Sequence, residues 1–144
     1  MSGPILDVTV VGVPAPQGSK TALPNGAMIE SSRKVAPWRD SVANAVYAKV
    51  CELGWEPLDE ATHVTIEFYL DRPPSTPRKR VKPSVLPDLD KLVRSTLDAL
   101  ATAKAFTNDS RVVALDVEKS YARPNQATGA RIIVQPWINW EVAW

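Results

Sequence analysis

The stretch from Leu89 to Leu100 constrains the fold more than any other part of the chain. Leu89, Leu92, Val93, Thr96, Leu97 and Leu100 recur at steps of three and four. That spacing gathers them on one stripe of a helix, which must bury that stripe against a partner layer. The helix is expected to run for about 17 residues, roughly 25 Å at 1.5 Å per residue. Upstream, residues 62–70 alternate: Val64, Ile66, Phe68 and Leu70 face one way, and His63, Thr65, Glu67 and Tyr69 the other. Strict alternation is the mark of a half-buried strand.

Around these two elements the remainder falls into place. Residues 6–13 (LDVTVVGV) read as a first strand that Pro14 and Pro16 end, followed by a loop to about Pro37. A helix is expected from Trp38 to Leu53, stopped by Gly54. Two further strands are expected at 111–121 and 130–135. The order β-α-β-α-β-β predicts an α+β fold with a mixed or antiparallel sheet and the helices packed on it. With 144 residues, 44% of them hydrophobic, the chain suits one domain over 1–144 with a real core.

Net charge is only +1, so bulk charge does not point to nucleic acid. The distribution is less even: Arg72, Arg78, Lys79, Arg80 and Lys82 follow one another with no acid among them, in a proline-rich segment. Such a block is either a solvated loop or an arm that grips phosphates, to which Lys20, Arg33 and Lys34 of the first long loop would add. The single cysteine, Cys51, excludes an intramolecular disulfide. The amino terminus lacks a secretion signal and no stretch approaches a membrane span, so a cytoplasmic location is expected by elimination.

The stretch richest in chemistry runs from Pro87 to Tyr121. Asp88-Leu89-Asp90 opens the strong helix, and Asp109 stands at the turn beyond it. Carboxylates two residues apart diverge on a helix and share a face on an extended segment. Asp88 and Asp90 therefore converge only if they straddle the junction between loop and helix, where the pattern puts them. For Asp109 to join them, the strand beginning near Arg111 would have to pair beside the strand that feeds Asp88. Three such carboxylates would suit a hard cation, magnesium or manganese, which serves phosphodiester hydrolysis. The plainer alternatives stay open at this point: Asp88 or Asp90 as a helix cap, Asp109 as a turn residue. Likewise Asp90, Arg94 and Asp98, four residues apart, form either surface ion pairs or a charged row in which Arg94 reaches a scissile phosphate.

The run PDLDKLVRSTLDALATAKAFTNDSRVVALDVEKSYA resembles the signature of RusA-type Holliday junction resolvases. The matching pieces are Asp88-Leu89-Asp90, Leu97-Asp98-Ala99-Leu100, Phe106, Asn108-Asp109, Val112-Val113 and Glu118-Lys119. The resemblance implies a homodimeric, magnesium-dependent endonuclease (manganese a possible substitute) that resolves four-way DNA junctions by paired symmetric nicks in recombination and repair. It implies Asp88, Asp90 and Asp109 as metal ligands, Arg94 at the family's catalytic lysine, and Lys91 where asparagine is frequent. Arginine keeps the charge of lysine but does not readily give up a proton. Two alternatives accompany this reading: a branched-DNA-binding protein that does not cleave, and a metal nuclease acting on other branched DNA. The tryptophans at 137, 140 and 144 are expected to pack a tail on the core or a partner.

Overall fold

A computed structural model describes residues 3–18, 20–22, 24, 28–30 and 33–139, apart from the side chains of 20–22 and 28–30. Strand β1 (Leu6–Val11) leads through a short hairpin, β2 (Lys20–Ala22) and β3 (Met28–Glu30), to helix α1 (Val35–Leu53). Strand β4 (Thr62–Leu70), helix α2 (Leu89–Thr102), a 3-10 turn at Asp109–Arg111, β5 (Val112–Tyr121) and β6 (Gly129–Pro136) complete the chain. The main sheet has the order β1-β6-β4-β5. Within this sheet, as described, β4 and β5 run parallel, joined through α2, and the other pairings are antiparallel. The fold is therefore α+β with a mixed sheet. The hairpin β2–β3 was not legible in the sequence, because strands of three residues are too short to show an alternation.

The core lies between one sheet face and the two helices. Leu6, Val8 and Val10 of β1, Val64, Ile66 and Phe68 of β4, and Ile132 and Val134 of β6 bury alternate residues into it. From α1 come Trp38, Val42, Val46 and Val50, and from α2 Leu92, Val93, Ala99 and Leu100. Helix α1 begins three residues before the expected Trp38, and Trp38 itself is buried, its indole N–H donating to Thr96 Oγ1 at 3.1 Å. That bond ties the helices together in the core. Gly54 ends α1 as expected, its N–H donating to the Cys51 carbonyl at 3.3 Å.

Outside the core, His63 lies 2.6 Å from the Asp116 carboxylate across β4 and β5. Trp137 is 45% exposed, and Trp140 and Trp144 lie outside the described residues. No described helix is long and apolar enough to cross a membrane.

Candidate functional site

Helix α2 carries the candidate residues along its length. Asp88 is its N-cap in an extended conformation (φ −68°, ψ 136°), and Asp90 lies in the first turn, so the pair straddles the loop-to-helix junction. The Asp88 carboxylate makes no capping hydrogen bond. It lies 3.6 Å from Lys91 Nζ and remains exposed. The approach to Asp88 is clamped from β5: Lys119 Nζ donates to the Val85 carbonyl at 2.8 Å and to the Pro87 carbonyl at 2.9 Å. The sequence showed Lys119 as the end of a strand and as part of the family resemblance, without a contact. Its bracing role depends on a contact 32 residues away in the chain, which no local pattern reveals.

The segment after β1 lies along the same helix. Ser95 Oγ donates to the Ala15 carbonyl at 2.7 Å, and the Gln17 N–H to the Lys91 carbonyl at 3.0 Å. The Gln17 amide then bridges two charged groups, donating to Asp98 at 2.6 Å and accepting from Arg39 at 3.0 Å. Beside it Gly18 has φ +105°, and a Cβ there would stand 2.5 Å from the Arg94 guanidinium. Glycine thus lets the backbone turn and Arg94 lie close against it. Arg94 itself is exposed, and no ion pair among the described residues joins it to Asp90 or Asp98. The row of surface ion pairs is therefore not formed.

Asp109 lies at the other end of α2. Asn108 caps the 3-10 turn, its side chain accepting from the Ser110 N–H at 2.9 Å, which leaves the Asp109 carboxyl out of the turn's own bonding. That carboxyl lines the same pocket as Asp98, and its pKa is raised by partial burial and by the nearby Asp98 charge. Asp98 is two turns beyond Asp90, about 12 Å along the helix axis. The pairing condition for convergence is met, since β5 does lie beside β4. The pairing is parallel, however, so α2 has to span the sheet between them. It starts near the C-terminal end of β5, where Lys119 holds Pro87, and finishes near the start of β5, where Asp109 sits. Asp88, Asp90 and Asp109 are thus not brought to one point.

A divalent ion was expected on these carboxylates. The donor chemistry fits a hard cation, being all carboxylate oxygen, and Asp98 with Asp109 form a like-charge contact that a cation would relieve. Among the described residues no group of three potential ligands gathers around a single position. Asp88 and Asp90 stand at the start of α2, and Asp109 lies near Asp98 towards its other end.

The basic block divides by role. Arg72 donates to the carbonyls of Arg80 and Pro77, each at 3.1 Å, and its guanidinium lies 5.2 Å from the centre of the Tyr121 ring. Lys82 meets the Glu118 carboxylate and donates to Ser120 Oγ at 2.7 Å, and its hydrogen bond and charge lower the pKa of Glu118. These two cations brace the loop. Arg78 and Lys79 stand exposed at its tip. Arg80, Lys34 and Lys91 line a cavity of about 600 Å³ that reaches Asp88. Lys20 begins β2, and its side chain lies outside the described residues.

The sequence pattern of the endodeoxyribonuclease RusA family matches residues 11–134. No curated protein matches the chain significantly. Among solved structures, a protein of unknown function from Agrobacterium tumefaciens is 13% identical over 96% of this chain and 80% of its own, with a TM-score of 0.41. That likeness is too slight to carry an argument. The family pattern leaves only the two ends of the chain uncovered and includes every described candidate residue on α2 and at the turn beyond it, so the protein belongs to the RusA family of Holliday junction-resolving endodeoxyribonucleases.

Proposed function

We propose that this chain resolves four-way DNA junctions as a symmetric dimer, making paired nicks in the presence of magnesium. The observation that carries the reading is the family match over 11–134, with Asp88 and Asp90 at the start of α2 beside a cavity lined by Lys34, Arg80 and Lys91. Asp88 and Asp90 would hold an ion at the start of α2, and Asp109 with Asp98 a second towards its other end. The chemistry such an ion supplies when bound is Lewis acidity towards the phosphodiester and the attacking water.

The chain's own groups do the rest. Arg94, one turn beyond Asp90, offers a fixed positive fork to the charge that develops on the phosphate. As an arginine it stabilises that charge without donating a proton, so protonation of the leaving oxygen falls to solvent. Lys91 balances Asp88 and limits the repulsion between that carboxylate and the DNA backbone. The exposed Arg78 and Lys79 draw phosphates to the loop. A two-fold dimer suits a substrate with two equivalent strands, because it presents two equal sites.

The decisive test is cleavage of a synthetic immobile four-way junction and of a linear duplex of matched sequence, with magnesium present or chelated and an Asp90→Asn chain alongside. Paired symmetric nicks on the junction alone, lost with chelator and with the variant, support the proposal. Junction binding without cleavage in either magnesium or manganese makes the chain a non-catalytic binder. Equal cutting of both substrates discards junction selectivity.

A further inference from the structure

The cavity beside Asp88 has a lining that phosphodiester hydrolysis alone does not require. Its walls are stiff and largely apolar, formed by Pro14, Pro16, Pro73, Pro83, Val13 and Val85. Proline has a fixed φ and no N–H, so such walls present hydrocarbon ring edges and few donors. Lys34, Arg80 and Lys91 reach the lining from three separate segments, and Asp71 and Tyr121 add polar groups. At about 600 Å³ the space falls within the range of pockets that enclose small organic ligands. A largely apolar, proline-rich cavity with cations around it is complementary to an apolar ring carried on a phosphate backbone, and a plain phosphate-binding surface would need no such apolar lining.

We propose that this cavity is a subsite for one unstacked nucleobase of the strand to be cut, with Lys34, Arg80 and Lys91 taking the phosphates on either side. The inference rests on the junction-cutting reading and deepens it, because it supplies a source of structural selectivity. Extruding a base from a continuous duplex costs both pairing and stacking, and the cost is least where the stack is already interrupted. A branch point is such a place. The subsite therefore fills at a junction and stays empty along a linear duplex, and filling it brings the neighbouring phosphate to Asp88.

The test places 2-aminopurine, which brightens when unstacked, at each position around the crossover of a four-way junction. An Asp90→Asn chain in magnesium is titrated against these junctions, and the unsubstituted chain is assayed for cleavage of the same DNA. The expected result is a several-fold rise at one position per cut strand. Ser75→Trp and Val85→Trp each fill the cavity from an exposed site on its wall. Both are expected to abolish the rise and to lower the preference for junction over duplex by roughly tenfold, about the contribution of one well-held base. Val113→Trp, exposed on β5 and away from the cavity, is the control for an added tryptophan and keeps the rise. Cleavage of the junction with no brightening at any position, or brightening that survives both cavity variants, overturns the subsite and leaves the nuclease intact. A chain that neither prefers nor cuts the junction overturns the nuclease reading, and the subsite with it.

Discussion

The Asp98–Asp109 contact places two like charges together, and its energetic sign follows from the direction of the pKa shift. Asp109 has a higher pKa folded than unfolded, where the reference value is 3.8. Its contribution to stability is therefore full below that unfolded value and is lost as pH rises through the folded one. Asp109→Asn fixes the uncharged state. In chelator this variant is expected to melt slightly above the unsubstituted chain at neutral pH, and the gap should close as pH falls towards the unfolded value. A melting series followed by circular dichroism checks this. Added magnesium should raise the melting temperature of the unsubstituted chain more than that of the variant, since the variant has lost a charged ligand. A variant that melts lower in chelator at neutral pH would mean that the pair is not repulsive.

Two elements depend on single close contacts. Strand β6 begins at Gly129 with φ +151°, where a Cβ would stand 1.9 Å from the Val10 carbonyl oxygen of β1. The neighbour is backbone and cannot give way cheaply, so Gly129→Ala is expected to destabilise the fold by about 2 kcal/mol or more, read from the urea midpoint. The segment before α2 is held by Lys119, whose two hydrogen bonds fix Val85 and Pro87. Lys119→Met keeps much of the side-chain length and removes both bonds. It is expected to weaken magnesium binding and slow junction cleavage, each by about tenfold to a hundredfold, as loss of an orienting contact behind a ligand does. Titration of metal by calorimetry separates this from a general loss of folding. Unchanged metal affinity would show that Lys119 braces only the loop.

For the whole molecule the charge pattern decides how binding responds to salt. Net charge of +1 gives no general attraction to DNA, so the response must come from particular cations. Arg78→Gln and Lys79→Gln are each expected to reduce the slope of log affinity against log salt by about 1, while Lys104→Gln, exposed beyond the far end of α2, leaves it unchanged. Filter binding over a range of salt concentrations measures the three slopes. Equal slopes for all variants would remove the loop tip from the DNA contact.

The period of each element is written locally, which is why the strand at Thr62–Leu70 matches its expected bounds and α2 follows its stripe of leucines. The placement of Asp88 and Asp90 across a loop-to-helix junction was legible for the same reason, since backbone geometry changes within two residues there. The resemblance in the Pro87–Tyr121 stretch and the family to which the chain belongs were also readable without coordinates. The hairpin β2–β3 was not, because three residues show no period. Nor was the partition of the basic block, since Arg72 and Lys82 differ from Arg78 and Lys79 only in what the fold sets beside them. Where Asp109 ends up was decided by tertiary structure alone. Spacing along the chain does not encode whether β5 lies parallel or antiparallel to β4, and the parallel choice sends α2 across the sheet, so that Asp109 meets Asp98 and not Asp88.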